Sequence, residues 1–465
     1  VIGSSPSSSW PRHGLSLLAE SAILIAFFVL AYRLRLGSSL ERWLSEPRIL
    51  LNAVLHATVM QICLYYGDLY EESAFRPRRE TLIKIAQTMA VAWLFLTLTY
   101  FAVPRLRVGR GIVTIYAALA YVGIVGYRRA YFWAAGNEAL ADNVLIVGTG
   151  SSARQLAREV LRRAPLGFRL VGFLGEHAEE VGRGIVNPSV IGTLADLVPI
   201  VEAQRISLVI VALDDRRGKM PVSELLQCRL AGVRVEEGSS FYERLTGKIL
   251  VRNLRPSWLV FSQGFNKPRL FLTGKRVGEL LVAVVALLLA APVMILVALL
   301  VKLDSRGPIF YRQERVGEKG RSFLLLKFRT MRADAEAATG PVWATGSDDS
   351  RLTRVGGLLR RARLDELPQL INVLAGEMSF CGPRPERPHF VEQLRKIIPY
   401  YGERHSVKPG ITGWAQIKFG YGSNIEDAEE KLQYDLYYIK NMSLRLDISI
   451  MLDTLKVMVT GRGAR

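Results

Sequence analysis

A chain of 465 residues has room for about three domains. Hydrophobic residues make up 50% of it and the formal net charge is +19, a pairing that leaves nucleic acid, an anionic membrane surface or phosphorylated compounds as natural counterparts. No nucleic-acid-binding module is recognisable, so the membrane and phosphate readings stand. Three cysteines (Cys63, Cys228, Cys381) and five histidines (His13, His56, His177, His389, His405) are scattered along the chain, which excludes a disulfide framework and argues against a zinc site.

Residues 1–14, with the Ser-rich GSSPSSSW, are expected to be a disordered N-terminus. A four-helix transmembrane region is expected over 15–130. Its apolar stretches, 15–32, 49–66, 83–103 and 111–127, each approach the roughly 20 helical residues that cross a hydrocarbon core. Charges are scarce inside them, which argues against helices of a soluble bundle. Arginines flank the stretches on all loops, among them Arg35, Arg79, Arg105 and Arg128, so charge counting does not set the orientation.

A Rossmann-like α/β domain is expected over 140–265. NVLIVGTG (143–150) reads as an apolar strand running into a glycine turn, and 152–164 as the following helix. Further strands are expected at 168–176, 206–214 and 233–238, and the β/α alternation implies a parallel sheet. The turn Gly148-x-Gly150-x-x-Ala153 has the form that aims backbone N–H groups at a phosphate, with Glu176 placed for a ribose. The same turn also occurs in domains that bind nothing.

The segment 280–301 is uncharged and long enough to span, but Pro292 interrupts it. Such a helix either spans with a kink or dips in and returns. The remaining chain to 465 is polar and basic, with amphipathic pieces at 389–398 and 444–459 suited to a membrane interface.

Within it, RLDELPQLINVL (363–374) sets Asp365 and Glu366 between an arginine-rich stretch (Arg351, Arg354, Arg360, Arg361, Arg363) and an apolar stripe at helical spacing. Pro368 is tolerated only in a first helical turn, so a helix is expected to start near Asp365 as its N-cap. That position and the arginines both favour ionised carboxylates, and an ionised Asp serves as a nucleophile toward phosphorus or as a metal ligand. An ordinary helix cap has the same sequence. With its continuation, this stretch is one of four, GPIFYRQERVG (307–317), LLLKFRTM (324–331), RLDELPQLINVLAGEMSFCGPRPERP (363–388) and SVKPGITGWAQI (406–417), that are rich in cations held by turns, which suits a diphosphate.

These four motifs, in this order, resemble those of the polyprenyl-phosphate glycosyl-1-phosphate transferases, large monotopic enzymes that begin bacterial exopolysaccharide or O-antigen assembly. The resemblance is most specific from about 274 to 465 and looser before it. It implies a mainly α-helical monotopic catalytic domain over 270–465, with a re-entrant membrane helix at about 278–301. The implied reaction passes sugar-1-phosphate from a UDP-sugar to undecaprenyl phosphate and releases UMP. Asp365 would be the covalent nucleophile, forming a phospho-aspartyl intermediate. Glu366 would assist by placing a metal or a substrate proton, and both would hold Mg²⁺. Lys327, Arg329 and Arg384 match positions that contact phosphates, and Gln313 and Arg315 match a QxRxG stretch. The resemblance further implies an inner-membrane protein with its soluble domains in the cytosol, and a homodimer.

Three departures stand out: Ala291-Pro292 where Ser-Pro is usual, Glu279 where Asp follows Lys275-Arg276, and Cys381 where Val is common. Two other readings are open. A membrane-anchored NAD-dependent nucleotide-sugar epimerase or dehydratase would use the Gly148–Ala153 turn, but Tyr242 lacks the lysine four residues on that such enzymes carry. A non-catalytic membrane scaffold or transporter is the other, and the apolar stretches offer few polar residues to line a path.

Overall fold

A computed structural model describes residues 9–37, 47–70, 79–135, 142–162, 168–215, 220–251, 262, 264–332, 351–420 and 424–460. The chain divides into two compact units, Val1–Leu245 and Thr246–Arg465. Residues 1–8 of the expected disordered start lie outside the described residues, and the first helix begins at Ser9, ahead of the expected start.

Four long helices open the first unit: α1 (Ser9–Leu36), α2 (Pro47–Tyr66), α3 (Arg79–Ala102) and α4 (Arg110–Ala135). Their shared core takes residues three or four apart, such as Leu24 and Phe28, Ala53 and Ala57, Ile85 and Met89, and Tyr116 and Ala120. Their outer faces remain apolar, with Leu94, Phe95, Leu98 and Phe101 exposed, as lipid contact requires. One buried ion pair joins the first and last helices. Arg128 donates to Glu20 at 2.9 Å and to the Leu69 carbonyl at 2.7 Å, and Tyr70 donates to Glu20 at 2.7 Å. Each polar group there has a partner, which a charge inside an apolar bundle demands.

The α/β part follows as β1 (Asp142–Val147), α5 (Ser151–Arg162), β2 (Phe168–Gly175), β3 (Val190–Thr193), α6 (Leu197–Ala203), β4 (Leu208–Val211), α7 (Val222–Leu230), β5 (Arg234–Glu237) and α8 (Gly238–Thr246). The strands pair in parallel in the order β3-β2-β1-β4-β5, so the order reverses between β1 and β4. Strands β1 and β4 are almost wholly apolar, as strands covered on both faces are. Strand β3 was not among the expected strands. It is four residues long and carries Gly192, too short and too small to show alternation. Tyr242 is 2% exposed, and its hydroxyl accepts from Gln155 at 3.3 Å, as a packed core residue does.

The second unit begins its described helices with α9 (Arg269–Asp304), 36 residues and about 54 Å long. The helix continues through Pro292, where the sequence suggested a break. Among the described residues, α1 to α4 and α9 are long and apolar enough to cross a membrane. Next come an antiparallel hairpin of β6 (Phe310–Val316) and β7 (Ser322–Phe328), then α10 (Arg354–Arg361), α11 (Gln369–Ala375), β8 (Ser379–Cys381), α12 (Pro388–Ile397), β9 (Gly410–Thr412), α13 (Trp414–Lys418), α14 (Ile425–Asn441) and α15 (Leu444–Thr460). The region is helical apart from this hairpin and the short parallel pair β8–β9. Two apolar clusters tie α9 to β7: Ala283 packs with Leu325, and Val297 and Val301 pack with Phe328 and Leu359. The opposite face of α9 is exposed and apolar, including Leu281, Val285, Leu288, Leu289, Ile295, Leu296 and Leu299.

Candidate active site

The site is built on β7 and on the turn between α10 and α11. In the hairpin, Lys327 pairs with Tyr311, Leu325 with Gln313 and Phe323 with Arg315. Directly paired residues share a sheet face, so Tyr311, Gln313, Arg315 and Lys327 stand on one side. Gln313 accepts from Arg315 at 2.6 Å and donates to Tyr311 at 3.1 Å. Arg315 also donates to the Pro385 carbonyl at 2.9 Å and pairs with Glu386 at 3.5 Å, which ties the hairpin to the GPRP turn. Burial brings the Arg315 guanidinium down to about 10, with Glu386 opposing.

Asn372 on α11 fixes the height of β7. It donates to the Leu324 carbonyl at 2.8 Å and accepts from the Leu326 N–H at 3.0 Å, matching the backbone's own pairing pattern. Lys327, the next residue, therefore arrives beside Glu366, 3.4 Å away. Arg276 caps the far end of α11 through the Val373 and Leu374 carbonyls at 2.8 and 3.2 Å.

Asp365 is not the N-cap of an α-helix. It lies in a 3-10 turn, Leu364–Glu366, and α11 starts only at Gln369, with Pro368 in the N-cap position. Arg363 enters that turn at φ 54, a left-handed conformation that costs a non-glycine residue about 1 kcal/mol. The distortion rotates the dyad. Leu364 and Leu367 pack on the cluster containing Val297 and Val301 of α9, while Glu366 turns to the cations. Asp365 on the same turn is 7% exposed.

The two acids have opposite electrostatics. Burial opposes ionisation of Glu366, but Arg384 at 2.9 Å, Lys327 at 3.4 Å and Arg363 at 3.7 Å outweigh it and hold the carboxyl far below the usual range. Burial pushes the Asp365 carboxyl up, and Glu366 adds to this, against the pull of Lys327, Arg360 and Arg384. The sequence expectation that both acids are simply favoured as anions therefore holds for Glu366 alone. Asp365 makes no hydrogen bond to a described residue. Burial lowers the Lys327 ammonium, with Glu366 opposing.

Arg329 is placed elsewhere. Its guanidinium donates to the carbonyls of Arg306 at 2.9 Å and Ser305 at 2.7 Å, and to the Ser305 hydroxyl at 2.9 Å, so it caps the C-terminal end of α9. Among the expected phosphate-contacting residues, the structure brings Lys327 and Arg384 to the dyad, sets Gln313 and Arg315 on the same hairpin face, and turns Arg329 away. Gly148, Gly150 and Ala153 belong to the other unit.

Sequence reasoning passed over Arg404 and Asp435. Arg404, on the 3-10 turn Tyr401–Ser406, donates to Asp435 at 3.1 Å, to the Tyr401 hydroxyl at 2.7 Å and to the Arg384 carbonyl at 3.0 Å, holding the GPRP turn from below. The signal available was an acid beside the apolar face of α14, where Leu432, Leu436 and Ile439 are buried. Lys275 and Glu279 pair at 3.0 Å, and Lys275 also reaches Asp447 at 2.5 Å, while Glu279 accepts from Ser379.

A divalent cation that binds with a diphosphate takes oxygens from one or two carboxylates and from the phosphates. Asp365 fits such a ligand, whereas Glu366 is already engaged by three cations. No group of three or more His, Cys, Asp or Glu gathers for a metal among the described residues.

The description "Bacterial sugar transferase" matches residues 270–461, and "CoA-binding domain" matches residues 66–232. A UDP-N-acetylgalactosamine-undecaprenyl-phosphate N-acetylgalactosaminephosphotransferase of Aeromonas hydrophila is 42% identical over 242 residues, 52% of this chain and 56% of that one. An undecaprenyl-phosphate glucose phosphotransferase of Komagataeibacter xylinus is 37% identical over 70% of this chain and 60% of its own length. This chain therefore spans little more than half the length of these two relatives. A UDP-glucose:undecaprenyl-phosphate glucose-1-phosphate transferase of Escherichia coli (strain K12) is 36% identical over 349 residues, 72% of either chain. Matched across the dyad, the hairpin and the apolar helix that supports them, and similar to that relative over most of both lengths, the chain belongs to the bacterial sugar transferase family.

Proposed function

We propose that the protein transfers sugar-1-phosphate from a UDP-sugar to undecaprenyl phosphate through a covalent intermediate on Asp365. The observation that carries this reading is a buried carboxylate with no hydrogen bond to a described residue, in the field of Lys327, Arg360 and Arg384, on a turn whose Leu364 and Leu367 pack on the second half of α9. Its basicity is raised by burial, which strengthens a carboxylate nucleophile, while Lys327, Arg360 and Arg384 pull toward the ionised form.

In the first step an Asp365 oxygen attacks the phosphorus that bears the sugar. The bond from that phosphorus to the bridging oxygen breaks, and the oxygen leaves with UMP. In the second step a phosphate oxygen of undecaprenyl phosphate attacks the same phosphorus, restoring the Asp365 carboxylate and giving undecaprenyl-diphospho-sugar. Lys327 and Arg384, now shared with Glu366, exchange part of that contact for the charge that develops on the phosphate oxygens. Glu366 orients these cations. Mg²⁺ bound with the substrate, held by Asp365 with Glu366 alongside, would neutralise diphosphate charge.

The same reading makes α9 re-entrant. Both its first half, through Ala283 and Arg276, and its second half, through Val297, Val301 and Asp304, hold to one polar unit, while the other face is apolar and exposed. A helix so attached at both ends enters and leaves on one side of the bilayer. That side is the cytosolic face of the inner membrane, where UDP-sugars are found.

The test is UMP release by the purified protein in detergent, with Mg²⁺ and undecaprenyl phosphate, against UDP-glucose, UDP-galactose and their N-acetylated counterparts. Turnover with at least one donor, dependent on the lipid phosphate, is expected. No turnover with any of them, by protein that is folded, would refute the reading.

A further inference from the structure

The α/β domain belongs to a fold that takes dinucleotides, and its matched description names coenzyme A. Either ligand would lay its diphosphate at the reversal of strand order between β1 and β4, against the N-terminus of α5. That place is filled by the chain itself. Asp214, from the loop after β4, accepts from the Ser151 N–H at 2.9 Å, the Ser151 hydroxyl at 3.3 Å and the Ser152 N–H at 3.4 Å. A Cβ at Gly150 would run into this carboxylate, so the glycine makes room for Asp214 rather than for a ligand. Gly148, at φ 118, is needed for the turn, because a Cβ there would meet the Ala212 carbonyl at 2.7 Å.

A second acid lies on the same turn. Glu180 accepts from the Thr149 hydroxyl at 2.9 Å and from the Glu176 N–H at 2.8 Å. Glu176, the residue placed for a ribose, thus has its backbone donor committed to another carboxylate. Burial opposes the charge on both Asp214 and Glu180, but the hydrogen bonds from Ser151 and Ser152, and from Thr149, His177 and Glu176, prevail and keep both carboxyls below their ordinary range. The donors and the helix dipole that would attract a phosphate are already satisfied by one full negative charge, with a second beside it.

We infer that the Gly148–Ala153 turn is closed to a dinucleotide or coenzyme A diphosphate by Asp214, which stands where the phosphate would bind. The residues present do not fit that cofactor class, and the turn serves to lock β1, α5 and the β4 loop together.

Hydrogen–deuterium exchange of the intact protein in detergent tests this, read on the peptide that covers residues 148–153, so that binding to the other unit does not interfere. The probes are coenzyme A, NAD⁺ and inorganic pyrophosphate at about 1 mM, the upper end of ordinary ligand affinities. Exchange in the wild-type peptide is expected to be unchanged by all three. In Asp214→Ala and Asp214→Asn the Ser151 and Ser152 amides should exchange faster without ligand, and pyrophosphate should slow them again by at least about threefold, as expected once a like charge at contact is removed. Protection of the wild-type peptide by any probe would overturn the inference. So would the absence of protection in both variants when their β1 and β4 peptides exchange as in the wild type.

Discussion

Two turns in this protein hold an acid where anions are favoured, and they treat it in opposite ways. At the start of α5, Asp214 is exposed but saturated by two backbone N–H groups and a serine hydroxyl. In the 3-10 turn before α11, Asp365 is buried, surrounded by cations, and makes no hydrogen bond to a described residue. A carboxylate whose lone pairs are spent on fixed donors is held low in energy and is unreactive. One that burial destabilises, and that no donor satisfies, is poised to bond to phosphorus or a cation. Under the proposed function, hydrogen-bond saturation separates the structural acid from the reactive one better than the count of neighbouring charges does.

That contrast is sharpest in a pair of isosteric variants. Asp365→Asn should lower UMP release by at least about 10⁴-fold, since a carboxamide is no nucleophile toward phosphorus. Asp214→Asn should leave the rate within about twofold, by the same reasoning that surface groups outside the chemistry change little. Comparable losses in both would break the distinction.

The cations divide in the same manner. Arg384 donates to a Glu366 carboxylate oxygen at 2.9 Å, whereas the terminal guanidinium nitrogens of Arg329 donate to Ser305 and Arg306 just past the end of α9. Arg329→Ala should cost about 2 kcal/mol of stability by removing charge-assisted hydrogen bonds to Ser305 and Arg306, seen as a thermal midpoint lowered by several degrees. The KM for UDP-sugar of the protein that remains folded should hardly move. A raised KM with an unchanged midpoint would assign Arg329 to the substrate.

The smallest effect concerns pH. If Asp365 must be ionised, the rate falls as pH drops through its pKa, which burial and Glu366 both raise. Glu366→Gln removes one of these causes. The acidic limb of its residual rate should shift to lower pH, by less than about one unit given the short-range screening at such sites. A shift to higher pH would contradict the electrostatics described for the pair.

Much of this arrangement can be read from sequence because it depends on local chemistry. The apolar segments, the glycine turn after β1 and the dyad between arginines and a leucine stripe are contiguous patterns. What escaped depends on distant partners. Nothing near Asp214 reveals that it returns to Ser151, and KFRT alone does not show that Arg329 folds back to Ser305 while Lys327, two positions earlier, faces Glu366. The β6–β7 hairpin was missed because Arg312, Gln313, Glu314 and Arg315 interrupt its alternation. The helix start was placed too early because Arg363 adopts a left-handed conformation that no propensity predicts for arginine. Both misplacements fall on residues beside the dyad, where local preference yields to the site.

The central claim is that Asp365 itself bonds to phosphorus, and one measurement addresses it directly. The protein is mixed with a UDP-sugar it turns over, in the absence of lipid phosphate, quenched in acid, digested and analysed by mass spectrometry. The account predicts a phosphosugar mass on the peptide carrying Asp365, formed with about one equivalent of UMP, and its disappearance when undecaprenyl phosphate is added before the quench. UMP release with the label on another residue, or turnover in which Asp365 never carries it, would contradict the account.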